Sequence, residues 1–67
     1  MMTRVIGDYS GHDGRRIIAE KEIIGRKFHV MAMGGPFDYP GECHRGLSKA
    51  AALDLFADYI RDDVTDN

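Results

Sequence analysis

The chain has 67 residues, of which 43% are hydrophobic and 30% are charged, and its formal net charge is −2. A chain this short forms one domain and buries only about 60% of the surface that its unfolded form exposes, so we expect a partner or a second copy to help stabilise it. A single cysteine excludes an intramolecular disulfide, and no apolar run is long enough for a membrane span or a signal peptide. We therefore expect a cytoplasmic protein with no cofactor, no bound metal and no membrane partner.

Charge is distributed unevenly along the chain. Residues 1–49 carry an excess of two positive charges, whereas residues 50–67 carry an excess of four negative charges. A protein that binds nucleic acid by itself usually has a clear basic excess, which this chain lacks. The acidic C-terminal part suits contact with a basic protein partner, such as an enzyme that acts on nucleic acid. The alternative is that its aspartates only solvate the outer face of a helix.

The first half of the chain predicts strands. Residues 1–14 predict a short strand over residues 3–9, followed by a turn rich in glycine, serine and aspartate. Residues 15–34 predict a β-hairpin, with Gly25-Arg26 as a two-residue turn. A helix over residues 15–24 is the alternative, but its isoleucines would not form a single apolar stripe.

The position of this turn sets a register for the hairpin. It pairs Lys21 with Val30 and Ala19 with Ala32 on the face that we expect to meet a helix. The opposite face carries several apolar side chains that no helix covers, which is typical of an association site. The residues predicted to form a homodimer interface are Ile18, Ile24, Met31 and Met33.

The second half of the chain predicts a loop over residues 35–47, a helix over 48–63 and a tail over 64–67. Ser48 is a good N-cap residue for this helix, whose apolar side chains fall within one broad arc. Asp63 would return to that arc, so the helix should end near it. The predicted fold class is α+β, with a small antiparallel sheet of three or four strands and one amphipathic helix packed on one face.

Two exposed features are predicted to contact a partner. The loop displays Phe37 and Tyr39, two aromatic side chains that suit a protein interface. The polar side of the helix carries Asp54, Asp58 and Asp62, which suit a basic partner.

Side chains that could carry chemistry do not form a recognisable motif. The three histidines and the single cysteine lack the spacing of a zinc site. Cys43 and His44 are neighbours, and neighbouring side chains on an extended chain point to opposite sides, which argues against a nucleophile–base pair. The glycines lack the spacing of a phosphate-binding loop. We therefore expect no catalytic residues and a protein that is not an enzyme.

The loop and the helix start resemble the signature of HicB-type antitoxins. That signature is a strand ending in a proline, a Pro-Gly-Cys turn, a short strand, a glycine, a threonine helix cap and an Ala-Leu pair, and this chain has Pro36, Pro40-Gly41, Gly46, Ser48 and Ala52-Leu53. Cys43 lies one residue later than in the signature, and alanines replace the acidic pair of the first helical turn. A C-terminal DNA-binding segment has no counterpart here.

The resemblance implies a partial ribonuclease-H-like domain that neutralises a small basic mRNA interferase of the HicA type. A related alternative is a phage or mobile-element inhibitor of a host defence complex. A nucleic-acid-binding sheet is an alternative from another class. It requires one basic stripe made of Arg15, Arg16, Arg26, Lys27, Arg45 and Lys49. A small hydrolase using Cys43 and His44 is the least favoured alternative.

Overall fold

The structure is a computed structural model that describes residues 4–37 and 39–65. It contains four strands followed by one helix, which confirms the predicted α+β fold class. The elements are β1 (Val5–Ser10), β2 (Arg16–Lys21), β3 (Phe28–Met33), β4 (Glu42–Leu47) and α1 (Lys49–Thr65). The predicted first strand began at residue 3, and the predicted tail extended to residue 67; these ends lie outside the described residues. None of the described helical residues forms a stretch long and apolar enough to cross a membrane.

The sheet is an antiparallel meander in which the spatial order of the strands is their order in the chain. One face of the sheet packs against α1. The buried apolar side chains lie between the sheet and the helix, and they are Ile17, Ala19, Val30, Ala32 and Ala52. This core is small, because most of its members are alanines, and half-buried aromatic residues surround it.

The hairpin register differs from the predicted one by two residues. Lys21 pairs with Phe28, and Ala19 pairs with Val30. The backbone N–H of Glu22 donates to the carbonyl of Lys27 at 2.9 Å, so the loop holds four residues, 23–26, and the two-residue turn was wrong. Because side chains alternate between faces with a period of two, a shift of two residues leaves every side chain on its predicted face. The division between covered and uncovered faces was therefore correct.

The segment predicted as a loop over residues 35–47 contains β4. This strand pairs with β3 along one edge of the sheet, and its side chains are mostly exposed. Its composition, with Glu42, His44 and Arg45, gives little hydrophobic alternation, so tertiary pairing with β3 rather than local pattern makes it a strand.

The helix begins as predicted and ends two residues later than predicted. The backbone N–H of Ala51 donates to the Ser48 hydroxyl at 3.1 Å, which confirms the N-cap. At the other end the helix continues through Asp63 to Thr65. Asp63 lies on the apolar arc as the sequence indicated, but it is 1% exposed and does not terminate the helix. The predicted arc was also too broad, since Leu53 and Ala57 are exposed.

Candidate functional site

The three aspartates predicted to contact a partner form one stripe on α1. Asp54, Asp58 and Asp62 follow each other at intervals of four residues and are all exposed. Asp58 makes an ion pair of 3.0 Å with Arg61. Like charges at this spacing repel each other, and negative charges near the C-terminus of a helix oppose its dipole. The stripe does not stabilise the isolated helix, which favours a role outside the fold.

The two aromatic residues of the loop have different environments. Phe37 is half-buried, and its ring contacts the Tyr59 ring edge-to-face with centroids 5.7 Å apart. The Arg15 guanidinium lies 5.9 Å from the Phe37 ring centroid on the same side of the sheet. Tyr39 is 99% exposed. Of the two predicted anchors, Phe37 is thus largely used in packing the loop onto the helix, and Tyr39 is the one available to a partner.

Three of the four residues predicted to form a dimer interface lie together on the uncovered face of the sheet. Ile18 pairs with Met31, and Met31 pairs with Cys43, so these side chains form an apolar row across the uncovered face of the sheet. Met33 lies beside this row and is half-buried like Ile18 and Met31. Ile24 is separate, because the longer loop places it at the hairpin tip, where it is 86% exposed.

Charged pairs border this apolar row. Arg16 binds Asp8 at 2.9 Å on one side, and His29 contacts Glu20 at 2.8 Å on the other. Arg16 holds the pKa of the Asp8 carboxyl below its usual range through a hydrogen bond and through its charge. The uncovered face is therefore an apolar strip with polar margins, an arrangement that suits reversible contact with another surface.

Cys43 and His44 lie on opposite faces of β4. Cys43 belongs to the row on the uncovered face, whereas His44 Nε2 lies 3.0 Å from the Tyr59 hydroxyl on the helix side. The Tyr59 hydroxyl donates to Glu42 Oε1 at 2.6 Å. Burial and this hydrogen bond raise the pKa of Tyr59, so its phenol stays protonated at neutral pH. Cys43 and His44 therefore do not meet as a nucleophile–base pair.

A buried ion-pair cluster joins the C-terminal end of α1 to the turn between β1 and β2. Asp63 Oδ1 lies 3.0 Å from Arg15 Nε and 2.9 Å from His12 Nδ1. The Tyr9 hydroxyl donates a short hydrogen bond to the same carboxylate. Arg15 also binds Asp13 through two hydrogen bonds of 2.9 Å. Arg15 and Asp63 are 5% and 1% exposed, whereas His12 and Asp13 are exposed, so the cluster has a buried ion pair at its centre and reaches the surface at its edge.

Contacts within the cluster shift the pKa values of two of its residues. Hydrogen bonds from Arg15 hold the pKa of Asp13 well below its usual range. The hydrogen bond to Asp63, together with burial, raises the pKa of Tyr9.

Ligand atoms of His12, Asp13 and Asp63 lie within 4.8 Å of one another, a spacing that could hold a metal ion. The Arg15 guanidinium already binds both carboxylates and supplies the positive charge that a metal ion would bring.

Sequence reasoning missed this cluster, although one signal pointed to it. Asp63 occupies the apolar arc of the helix, where a carboxylate is expected only if it has a buried partner. Nothing local in the sequence identifies Arg15 as that partner, because the two residues are far apart in the chain.

Comparison with protein-family models, with curated proteins and with solved structures gave no match.

Proposed function

We propose that the chain is a non-enzymatic protein-binding module that neutralises a small basic enzyme acting on nucleic acid. The proposal includes the HicB-like character of the chain and a HicA-type mRNA interferase as the partner. The observation that carries it is the exposed acidic stripe of α1. The three aspartates are exposed and repel each other along the helix, although Asp58 also pairs with Arg61, and a basic partner would convert this repulsion into attraction.

The course of the backbone around the loop supports the same proposal. The HicB-type signature has a short strand between its Pro-Gly-Cys turn and its helix cap. In this chain β4 begins directly after Pro40-Gly41 and ends directly before Ser48. Gly46 has a positive φ of 73°, a conformation that favours glycine at the signature position.

A protein partner would meet the stripe by charge and the loop by packing. Tyr39 offers an exposed aromatic ring beside the helix-packed Phe37, and aromatic side chains are frequent energetic centres of interfaces. The aspartates would mainly accelerate association and set its dependence on salt. Neutralisation would then follow from covering the RNA-binding surface of the enzyme, with no chemistry performed by this chain.

The proposal includes a homodimer formed through the uncovered face of the sheet. The apolar row of Ile18, Met31 and Cys43 would meet the same row of a second copy. Met31→Glu should shift the sedimentation of the protein toward the monomer. Ile24→Ser should leave the dimer intact, because Ile24 lies at the hairpin tip and outside this row.

The decisive experiment is co-expression and co-purification with a small basic mRNA interferase of the HicA type, followed by an RNA-cleavage assay. We expect a stable complex and inhibition of cleavage that weakens as salt increases. Asp54→Asn, Asp58→Asn and Asp62→Asn should each weaken the complex by a few-fold. Asp8→Asn is the control for charge, because Asp8 is an exposed aspartate on the sheet, away from the helix. Since Asp8 and its partner Arg16 border the proposed dimer interface, sedimentation of this variant should show an unchanged oligomeric state.

Two results would contradict the proposal. The first is the absence of a complex together with unchanged RNA cleavage. The second is a complex that Asp8→Asn weakens as much as the stripe variants do. If the chain instead binds a component of a host defence complex through the same stripe, the inhibitor alternative replaces the antitoxin-like one.

A further inference from the structure

Six of the nine lysine and arginine side chains gather at one end of the molecule. Because the sheet is an antiparallel meander, the start of β1, the β2–β3 loop, the end of β4 and the start of α1 share this end. Backbone pairing fixes this arrangement, since Lys21 N–H donates to the Arg4 carbonyl and Phe28 pairs with Leu47. We call this region the basic end, and it consists of Arg4, Lys21, Arg26, Lys27, Arg45 and Lys49.

The cations of the basic end differ from the other three cationic residues in their partners. The three other cationic residues each bind an aspartate: Arg15 binds Asp63, Arg16 binds Asp8 and Arg61 binds Asp58. Within residues 4–37 and 39–65, no ion pair joins a residue of the basic end to a carboxylate. Two glutamates lie nearby. Glu20 contacts His29, and Glu22, which lies at the basic end itself, accepts a hydrogen bond from the backbone N–H of Gly46.

The helix adds to this positive character. Lys49 is the first residue of α1, and the first turn contains no acidic residue. The positive end of the helix dipole is therefore unopposed by side chains at this end of the molecule. The acidic residues of α1 lie further along the helix, toward its C-terminus, so the two ends of the molecule carry opposite charge.

An apolar tip projects from the middle of the basic end. Ile23 and Ile24 form the tip of the β2–β3 loop and are 80% and 86% exposed. They border an open pocket of about 290 Å³ that is also lined by Glu22, His29 and Arg45. Two adjacent isoleucines exposed to this degree are unusual in a small soluble domain, and here cationic side chains surround them.

We propose that the basic end binds the surface of an anionic lipid bilayer, with Ile23 and Ile24 inserted among the lipid chains, which replaces the expectation from sequence of no membrane partner. An anionic bilayer offers both ligands that this surface requires: negatively charged headgroups for the cationic side chains and an apolar interior for the isoleucines. The convex shape of the loop suits insertion into the plane of a membrane, which has no preformed groove.

Charge placement favours a bilayer over nucleic acid. A β-hairpin that enters a DNA groove brings both of its arms close to phosphates. In this hairpin the arm that precedes the tip carries Glu20 and Glu22, which would repel phosphates along the groove. Contact with a bilayer is confined to the tip and the side chains around it, where the Glu22 carboxylate is outnumbered by six cationic residues. Glu20 lies two residues earlier on β2, where it contacts His29.

The experiment is sedimentation of the full chain with two kinds of vesicle. One kind contains phosphatidylcholine alone and the other contains phosphatidylcholine mixed with phosphatidylserine. We expect binding to the phosphatidylserine vesicles only, and weaker binding as salt increases. Arg26→Gln and Lys27→Gln should each lower the affinity by about fivefold, and the double variant Ile23→Ser/Ile24→Ser should abolish detectable binding.

Matched variants at the opposite end provide the controls. Val64→Ser removes an exposed aliphatic side chain, and Arg61→Gln removes an exposed cation, so neither should change binding to vesicles. The absence of binding to phosphatidylserine vesicles would overturn the proposal. Binding that survives Ile23→Ser/Ile24→Ser would also overturn it, because charge alone would then account for adhesion. Salt-sensitive binding of duplex DNA without vesicle binding would assign the basic end to nucleic acid instead.

This proposal is independent of the acidic stripe. Asp58→Asn should leave vesicle binding unchanged, whereas Arg26→Gln should leave inhibition of the basic enzyme unchanged. Failure of one proposal therefore leaves the other intact.

Discussion

Asp63 is the residue whose substitution tests the buried cluster most directly. Asp63→Asn removes the negative charge that faces Arg15 in the interior, while the side-chain volume stays nearly the same. Breaking a buried ion pair costs about 3–5 kcal/mol when the remaining charge has no other partner. Here Arg15 retains two hydrogen bonds to Asp13, and the asparagine carbonyl can still accept from Tyr9, so we expect a loss of about 2 kcal/mol.

A loss of this size is large for such a small protein. Domains have a free energy of unfolding of roughly 0.05–0.15 kcal/mol per residue, which gives about 3–10 kcal/mol for this chain. For a domain of this length, 2 kcal/mol corresponds to a decrease in Tm of about 8–16 °C. The assay is thermal and urea unfolding monitored by far-ultraviolet circular dichroism.

The adjacent residue supplies the control. Asp62→Asn is the same chemical change one position earlier on the helix, at an exposed site. It should leave the free energy of unfolding unchanged or raise it by a few tenths of a kcal/mol, because it removes a charge that opposes the helix dipole. The reasoning is refuted if Asp63→Asn changes stability by less than about 0.5 kcal/mol, or if Asp62→Asn is equally destabilising.

Three further predictions concern local features of the fold. The depressed pKa of Asp13 contributes stability that is present above the ordinary pKa of 3.8 and is lost as the pH falls below that value. In Asp13→Asn, the free energy of unfolding from urea titrations should therefore fall less steeply at acidic pH than it does in the native chain. An unchanged dependence on acidic pH would contradict this. Gly34→Ala should lower the Tm more than Gly25→Ala does, although both glycines have positive φ. A Cβ at Gly34 would clash with the backbone carbonyl oxygen of Gly14, whereas a Cβ at Gly25 would meet nothing within 4 Å. Equal losses would show that the loop moves to make room. Ser48→Ala should lower the free energy of unfolding by about 1 kcal/mol and Ser48→Asp should not, since aspartate also caps helices; equal losses would argue against the cap.

Local features of the sequence predicted much of the fold. The alternation of side chains in β2 and β3 identified which face meets the helix, because that assignment depends only on the two-residue period of a strand. Ser48 identified the start of α1, because capping is a contact between residues three positions apart. The acidic stripe was also visible, since a spacing of four residues along a helix places side chains on one side.

Features that depend on distant contacts were not predictable in the same way. The hairpin register shifted by two residues because the alternation pattern is equally satisfied by either register. β4 was predicted as loop, because its residues are ordinary loop residues that become a strand by pairing with β3. The predicted basic stripe contained four residues of the basic end, Arg26, Lys27, Arg45 and Lys49, but its other two members, Arg15 and Arg16, bind aspartates. Arg4 and Lys21 were missed, because only strand pairing brings them to this end of the molecule.

The sequence by itself determined the fold class, the two faces of the hairpin and the position of the helix start, since each follows from interactions over a few residues. Only the tertiary structure decided the role of Asp63. Its place on the apolar arc suggested the end of the helix, yet the carboxylate is buried against Arg15 and the helix continues to Thr65. The reason is electrostatic: a buried carboxylate is tolerated where a cation and hydrogen-bond donors surround it, and those groups come from the opposite end of the chain.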